Sequence, residues 1–210
     1  MCAVPIARAE ALRRVRLWNA ATIGWNVVEG VVAVIAGLMA GSVSLVGFGL
    51  DSGIEVSAAL VVAWRLRSER YGGCMAEVDR MATRLIAWSF ALLAVYVGFE
   101  SLRHLLGQDA PDTSLPGIAM AMLSLVAMPM FARAKQRLAL PLGSRAVASE
   151  ARQTLLCAGL SLVLLVGLSA NALLGWWWAD PAAGLGIAAL AGAEAVRTFR
   201  AESLADTCCA

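Results

Sequence analysis

The chain has 210 residues, 60% hydrophobic and 15% charged, with a formal net charge of +2 and a mean hydropathy of +0.74. Soluble domains run at about 45–50% apolar and about 25% charged, so this composition points to a membrane protein, and the small net charge gives no ground for a nucleic-acid partner. A lone histidine, His104, removes HExxH and multi-histidine metal enzymes, and the five cysteines (Cys2, Cys74, Cys157, Cys208, Cys209) show neither a secreted disulfide framework nor CxxC spacing.

Residues 1–16 are short, polar and basic, carrying Arg8, Arg13, Arg14 and Arg16. The apolar segment that follows exceeds a signal-peptide core of about 7–15 residues, so it is read as a retained span. Span one is expected over about 17–40 and contains Asn19, Asn26 and Glu29. Gly41-Ser42 turns the chain into span two, about 43–64, and Gly37 and Gly41 form a small-xxx-small pair read as close helix packing. A polar segment from Arg65 to Arg84 follows, with a turn expected at Gly72-Gly73. Span three covers about 85–106, with Glu100 near its far end, and an acidic loop with Asp109, Pro111 and Asp112 leads on.

Span four, about 115–132, is Met-rich and holds Pro129. A basic loop with Arg133, Lys135, Arg137 and Arg145 is expected next, with Pro141 and Gly143 blocking a continuous helix. Span five, about 147–174, opens with Ser149, Glu150, Arg152 and Gln153. Gly175-Trp176-Trp177-Trp178 reads as a turn at the headgroup level, where tryptophan concentrates. Asp180-Pro181 reads as an N-cap followed by proline at the first helical position of span six, about 181–196.

These lengths suit a hydrocarbon core of about 30 Å. Sixteen of the 17 Lys and Arg residues fall in or beside the N-terminus, the second–third and fourth–fifth connections and the C-terminus; only Arg103 borders the other side. Under the positive-inside rule this pattern predicts an all-α membrane protein of six spans with both termini cytoplasmic, forming one transmembrane domain over 1–210 and no soluble domain.

The chemistry concentrates in span two. Asp51 and Glu55 are four residues apart, so they stack on one face of a helix. Each acid costs about 2.5–3.5 kcal/mol at mid-membrane on insertion scales, hence about 5–7 kcal/mol for the pair, unless protons, partners or a cation neutralise them. In span five, Gln153 and Cys157 share the same spacing. Together the two helices offer two carboxylates, an amide oxygen and a thiolate, the donor number of a tetrahedral metal site. Asn26 and Glu29, three residues apart on span one, and Glu150, one turn before Gln153, are candidates for the path of an ion or a proton. Buried hydrogen bonding explains the span-one pair equally well, and a place among the lipid headgroups is the alternative for Glu150. Cys208 and Cys209 read as part of a polar tail, and the Met-rich span four as adaptable packing.

The segment Ser42-Val-Ser-Leu-Val-Gly-Phe-Gly-Leu-Asp51-Ser-Gly-Ile-Glu55 resembles the second span of the cation diffusion facilitator family, whose pattern is S-x-A-L-x-A-D-A-x-[HD]-x-x-x-D. Glu150-Ala-Arg-Gln153-Thr-Leu-Leu-Cys157 stands where that family has A-D-A-x-[HD]-x-x-x-D, and Phe99-Glu100-Ser101 and Gly175-Trp-Trp-Trp-Ala-Asp180-Pro181 resemble its later landmarks. The resemblance implies a cation-efflux bundle that carries divalent metal out of the cytoplasm in exchange for protons. Its ligands would be Asp51, Glu55, Gln153 and Cys157. It further implies a short, divergent member without the family's cytoplasmic C-terminal domain. The partners it implies are a lipid bilayer, divalent cations, protons and, as an open question, a second copy of the chain; the location is the cell (inner or plasma) membrane.

The departures bear on the ion. Gln153 removes a titratable group and Cys157 replaces a hard ligand by a soft one, which favours Zn²⁺, with Cd²⁺, Co²⁺, Mn²⁺ or Fe²⁺ as alternatives, over Mg²⁺ or Ca²⁺. The ion is cargo; no permanently bound cofactor is expected. The same departures leave a second reading open, a non-transporting membrane subunit that binds or senses metal. An enzyme is not expected.

Overall fold

The computed structural model describes residues 5–68, 76–108, 111–142 and 145–206. These residues form six helices and no strand: α1 (Pro5–Ala40), α2 (Val43–Ser68), α3 (Ala76–Gly107), α4 (Leu115–Leu142), α5 (Arg145–Leu174) and α6 (Ala179–Asp206). Each contains a stretch long and apolar enough to cross a membrane. The expected turn at Gly72-Gly73, Asp109, and Cys2, Cys74, Cys208 and Cys209 lie outside the described residues.

The helices overrun the apolar stretches. At 36 residues α1 is about 54 Å long, well beyond a hydrocarbon core of about 30 Å. Its basic start continues the helix, with Arg14 Nη2 2.5 Å from Glu10 Oε1 one turn back. The expectation of a basic loop after residue 132 is corrected: Arg133, Lys135 and Arg137 all lie on α4, which runs on to Leu142. Two causes act together. Ala, Arg, Lys, Gln and Leu, which fill 132–140, are strong helix formers. The extension also has something to bury, because Ala139 packs with Ala11 and Val15 of α1 and Val147 of α5 in a small second core.

The centre of the bundle is α2. Two-thirds of its apolar window (67%) is buried, against 28–39% for the other five helices. It packs against α1, α3, α5 and α6, while α3 pairs with α6 and α4 with α5. Large apolar side chains such as Leu38, Met39, Leu92, Val95 and Val166 face outward, as lipid contact requires. The two acids of α2 thus stand where lipid does not reach.

Close approach of α1 and α2 depends on glycine. A Cβ at Gly37 would meet Val46 Cγ2 at 2.7 Å, and one at Gly49 would meet Val34 Cγ2 at 2.7 Å and the Val34 backbone nitrogen at 2.9 Å. Backbone cannot yield as a side-chain tip does. Gly49→Ala is therefore expected to destabilise the bundle by about 1–3 kcal/mol, the usual range for overpacking. The readout is a lower midpoint of thermal aggregation in detergent; a midpoint at the wild-type value would contradict this packing.

The turn expected at Gly41-Ser42 is present. Gly41 has φ +64°, and the Ser42 amide donates to the Gly37 carbonyl at 2.9 Å, a Schellman closure. Gly175 ends α5 similarly at φ +65°, and Trp176 stacks on Trp178 with ring centroids 5.2 Å apart. Asp180 departs from expectation: α6 starts at Ala179, and the carboxylate serves another helix. It accepts from Ser42 Oγ at 2.6 Å, from the Val43 amide at 3.1 Å and from Ser44 Oγ, all at the start of α2. Pro181 lacks an N–H, so the first turn of α6 has one donor fewer to satisfy. The start of α2 presents three donors to a buried carboxylate, and they win it.

Candidate metal centre

Asp51 and Glu55 lie one turn apart on α2, and Gln153 and Cys157 one turn apart on α5. Asp51, Glu55 and Cys157 are all buried, and each offers a ligand atom within 4.8 Å of the other two. Gln153 lines the same cavity, a space of about 20 Å³ closed in by Phe90, Leu160 and Glu194 among others. A water needs about 10–15 Å³ on this measure, so the cavity takes a single water-sized occupant.

Several polar atoms here are unspent. Asp51 Oδ1, Glu55 Oε1 and Gln153 Nε2 are buried with no hydrogen-bond partner among the described residues. Amide O and N are interchangeable by a flip of the side chain, so Gln153 is able to present its oxygen to the same space. Donors at about 2.0–2.3 Å from a tetrahedral ion stand about 3.3–3.8 Å apart, so the Asp51, Glu55 and Cys157 ligand atoms, within 4.8 Å of one another, would close by at most about 1.5 Å around one.

The span-one pair divides. Asn26 donates from Nδ2 to Glu55 Oε2 at 2.7 Å, which leaves Oε1 as the oxygen with no partner among the described residues. Glu29, fully buried, turns instead to α4 and accepts from Ser124 Oγ, which in turn accepts from Trp25 Nε1 at 3.3 Å. Glu29 Oε2 has no partner among the described residues.

Glu150 is buried in an ion pair rather than lying in the headgroups. Lys135 Nζ stands 2.6 Å from its Oε1, with side-chain exposures of 1% and 5% for lysine and glutamate. Reading the sequence as a loop missed Lys135, the chain's single lysine. The signal was present: Ala121, Ser124, Met128, Ala132, Lys135 and Ala139 recur at helical spacing, and all are buried. Glu194 of α6 was also missed. It lines the metal-sized cavity and pairs loosely with Arg197, Nη1 to Oε2 3.8 Å.

A six-helix membrane bundle with two carboxylates, an amide and a thiol bordering one small, otherwise apolar cavity fits a membrane carrier. A sequence profile of the cation efflux transmembrane domain matches residues 21–205. The chain belongs to the cation efflux (cation diffusion facilitator) family and is accordingly a membrane-embedded cation transporter. A comparison with curated proteins finds no significant match.

Proposed function

We propose that this protein moves a divalent metal cation, Zn²⁺ foremost, out of the cytoplasm in exchange for protons, by alternating access. The observation that carries the reading is the convergence of Asp51, Glu55 and Cys157 ligand atoms within 4.8 Å of one another, buried on the central helix and its neighbour. Asp51 and Glu55 would supply anionic oxygens, Cys157 a thiolate and Gln153 an amide oxygen. Ligands bind a cation deprotonated, so capture releases protons and protons arriving from the other side release the cation. That reciprocity is the coupling. The thiolate tilts preference towards Zn²⁺ and Cd²⁺ and away from Mg²⁺ and Ca²⁺. Asn26 would hold Glu55 in its binding rotamer, and Glu29, bonded to a different helix, would carry a proton apart from the metal. The basic end of the bundle, with both termini, would face the cytoplasm.

The test is a metal panel in proteoliposomes with an imposed pH gradient. Zn²⁺ uptake should follow the gradient and collapse when a protonophore dissipates it, with no Mg²⁺ or Ca²⁺ uptake. Metal binding without flux for any ion would replace this reading with that of a binding or sensing subunit.

A further inference from the structure

A buried lysine in a membrane helix is expensive and asks for a role and a partner. Lys135 of α4 has its partner in Glu150 of α5, at 2.6 Å. The position of Glu150 suggests the role. Its second oxygen, Oε2, is buried with no hydrogen-bond partner among the described residues. A narrow seam, too tight for water, is lined by Thr22, Glu55, Glu150, Gln153 and Thr154, polar throughout. Glu55 and Gln153 are shared between this seam and the cavity beyond it. A cation travelling along polar atoms from the basic end to the cavity therefore meets Glu150 first, then Glu55.

We propose that Lys135 and Glu150 form a displaceable latch on the cytoplasmic approach: the lysine ammonium occupies the carboxylate that first receives an incoming divalent cation. The inference rests on the reading of Asp51, Glu55 and Cys157 as the cation site. With twice the charge, the incoming ion competes the ammonium off Glu150. Once the ion moves on to Glu55, Lys135 returns to Glu150 and shuts the seam behind it. A purely structural pair is the competing account, because α4 and α5 pack along much of their length. Buried ion pairs, however, seldom stabilise more than apolar residues of the same volume, so neutral replacement separates the two accounts.

Cys157 is a native reporter, since it is buried beyond the seam. In the full-length protein with Cys2, Cys74, Cys208 and Cys209 replaced by serine, its reaction with a small cationic methanethiosulfonate measures access to the centre. The parent should label slowly and Lys135→Met/Glu150→Gln at least tenfold faster, because the neutral pair no longer holds the seam shut. Lys135→Arg, which keeps the charge, should stay near the parent rate. Parent-rate labelling of the double variant would overturn the latch, and so would its aggregation, since the pair would then be structural. Zn²⁺ protection of Cys157 in the parent reports on the cation site separately: failure to protect refutes that site, while the ratio of double-variant to parent rates still judges the latch.

Discussion

Asp51→Ala is expected to bring cation flux in proteoliposomes down to the level of protein-free vesicles, without lowering the thermal stability of the protein. Both halves follow from the surroundings of Asp51. It would be one of two carboxylates in a four-donor set, so its loss leaves three donors and removes a negative charge. Deleting a group that merely orients a ligand typically costs 10–100-fold in metal affinity, so a direct ligand should cost about 100-fold or more. The carboxylate does little for the fold, because Asp51 Oδ1 has no hydrogen-bond partner among the described residues. Alanine relieves a buried carboxylate of its desolvation, and the unfolding midpoint should hold or rise. Flux at the wild-type rate in a well-folded Asp51→Ala protein would remove this residue from the transport pathway. A collapse in stability would mean that its role is architectural.

Asp180→Ala should show the reverse profile. The carboxylate is 1% exposed and accepts from Ser42, Ser44 and the Val43 amide, the donors that begin α2. Hydrogen bonds to a charged group contribute about 1.5–3 kcal/mol each. The hydroxyls of Ser42 and Ser44 lie 3.4 Å apart and recover part of this by pairing with each other. A net loss of about 3 kcal/mol is expected, which lowers the unfolding midpoint by roughly 10 °C for a chain of this size. Asp180→Asn keeps one acceptor oxygen and should lose less. Differential scanning fluorimetry in detergent reads both, and an Asp180→Ala protein that melts with wild type would show that the serines and water replace the carboxylate.

The number of spans was legible because two independent signals agree. Hydropathy marks apolar windows, and arginine placement alternates from one connection to the next. Which faces meet was legible in part. Four-residue spacing puts Asp51 with Glu55 and Gln153 with Cys157 whatever the tertiary structure, and the structure brings Asp51, Glu55 and Cys157 together with Gln153 on the same cavity. Helix extent was not legible, because Pro141 and the basic residues of 133–137 argue for a loop while packing of Ala139 on Ala11 and Val15 decides for a helix. The partner of Asp180 was hidden for a different reason. An aspartate before a proline has an obvious local use as a cap, and no local pattern announces that residues 42–44, far away in sequence, take it instead. Glu194 escaped notice because its spacing to Arg197 looks like an ordinary surface pair, and only the fold reveals that it borders the cavity.

The tie between Asp180 and residues 42–44 fixes the first turn of α2, and beyond the acids Asn19 of α1 donates to the Ala59 carbonyl at 3.0 Å. Asp51 and Glu55 lie 8 and 12 residues beyond Val43, hence about 12 and 18 Å along the helix axis from that anchor. An inward travel of about 1 Å at those radii is a tilt of roughly 3–5°. In the proposed carrier α1 and α2, joined at Asn19–Ala59 and Asn26–Glu55, would tilt together about the aspartate–serine tie, with the acids as the working point. A tilt of that size would close the proposed site on an ion while the helical turns of α2 stay as they are.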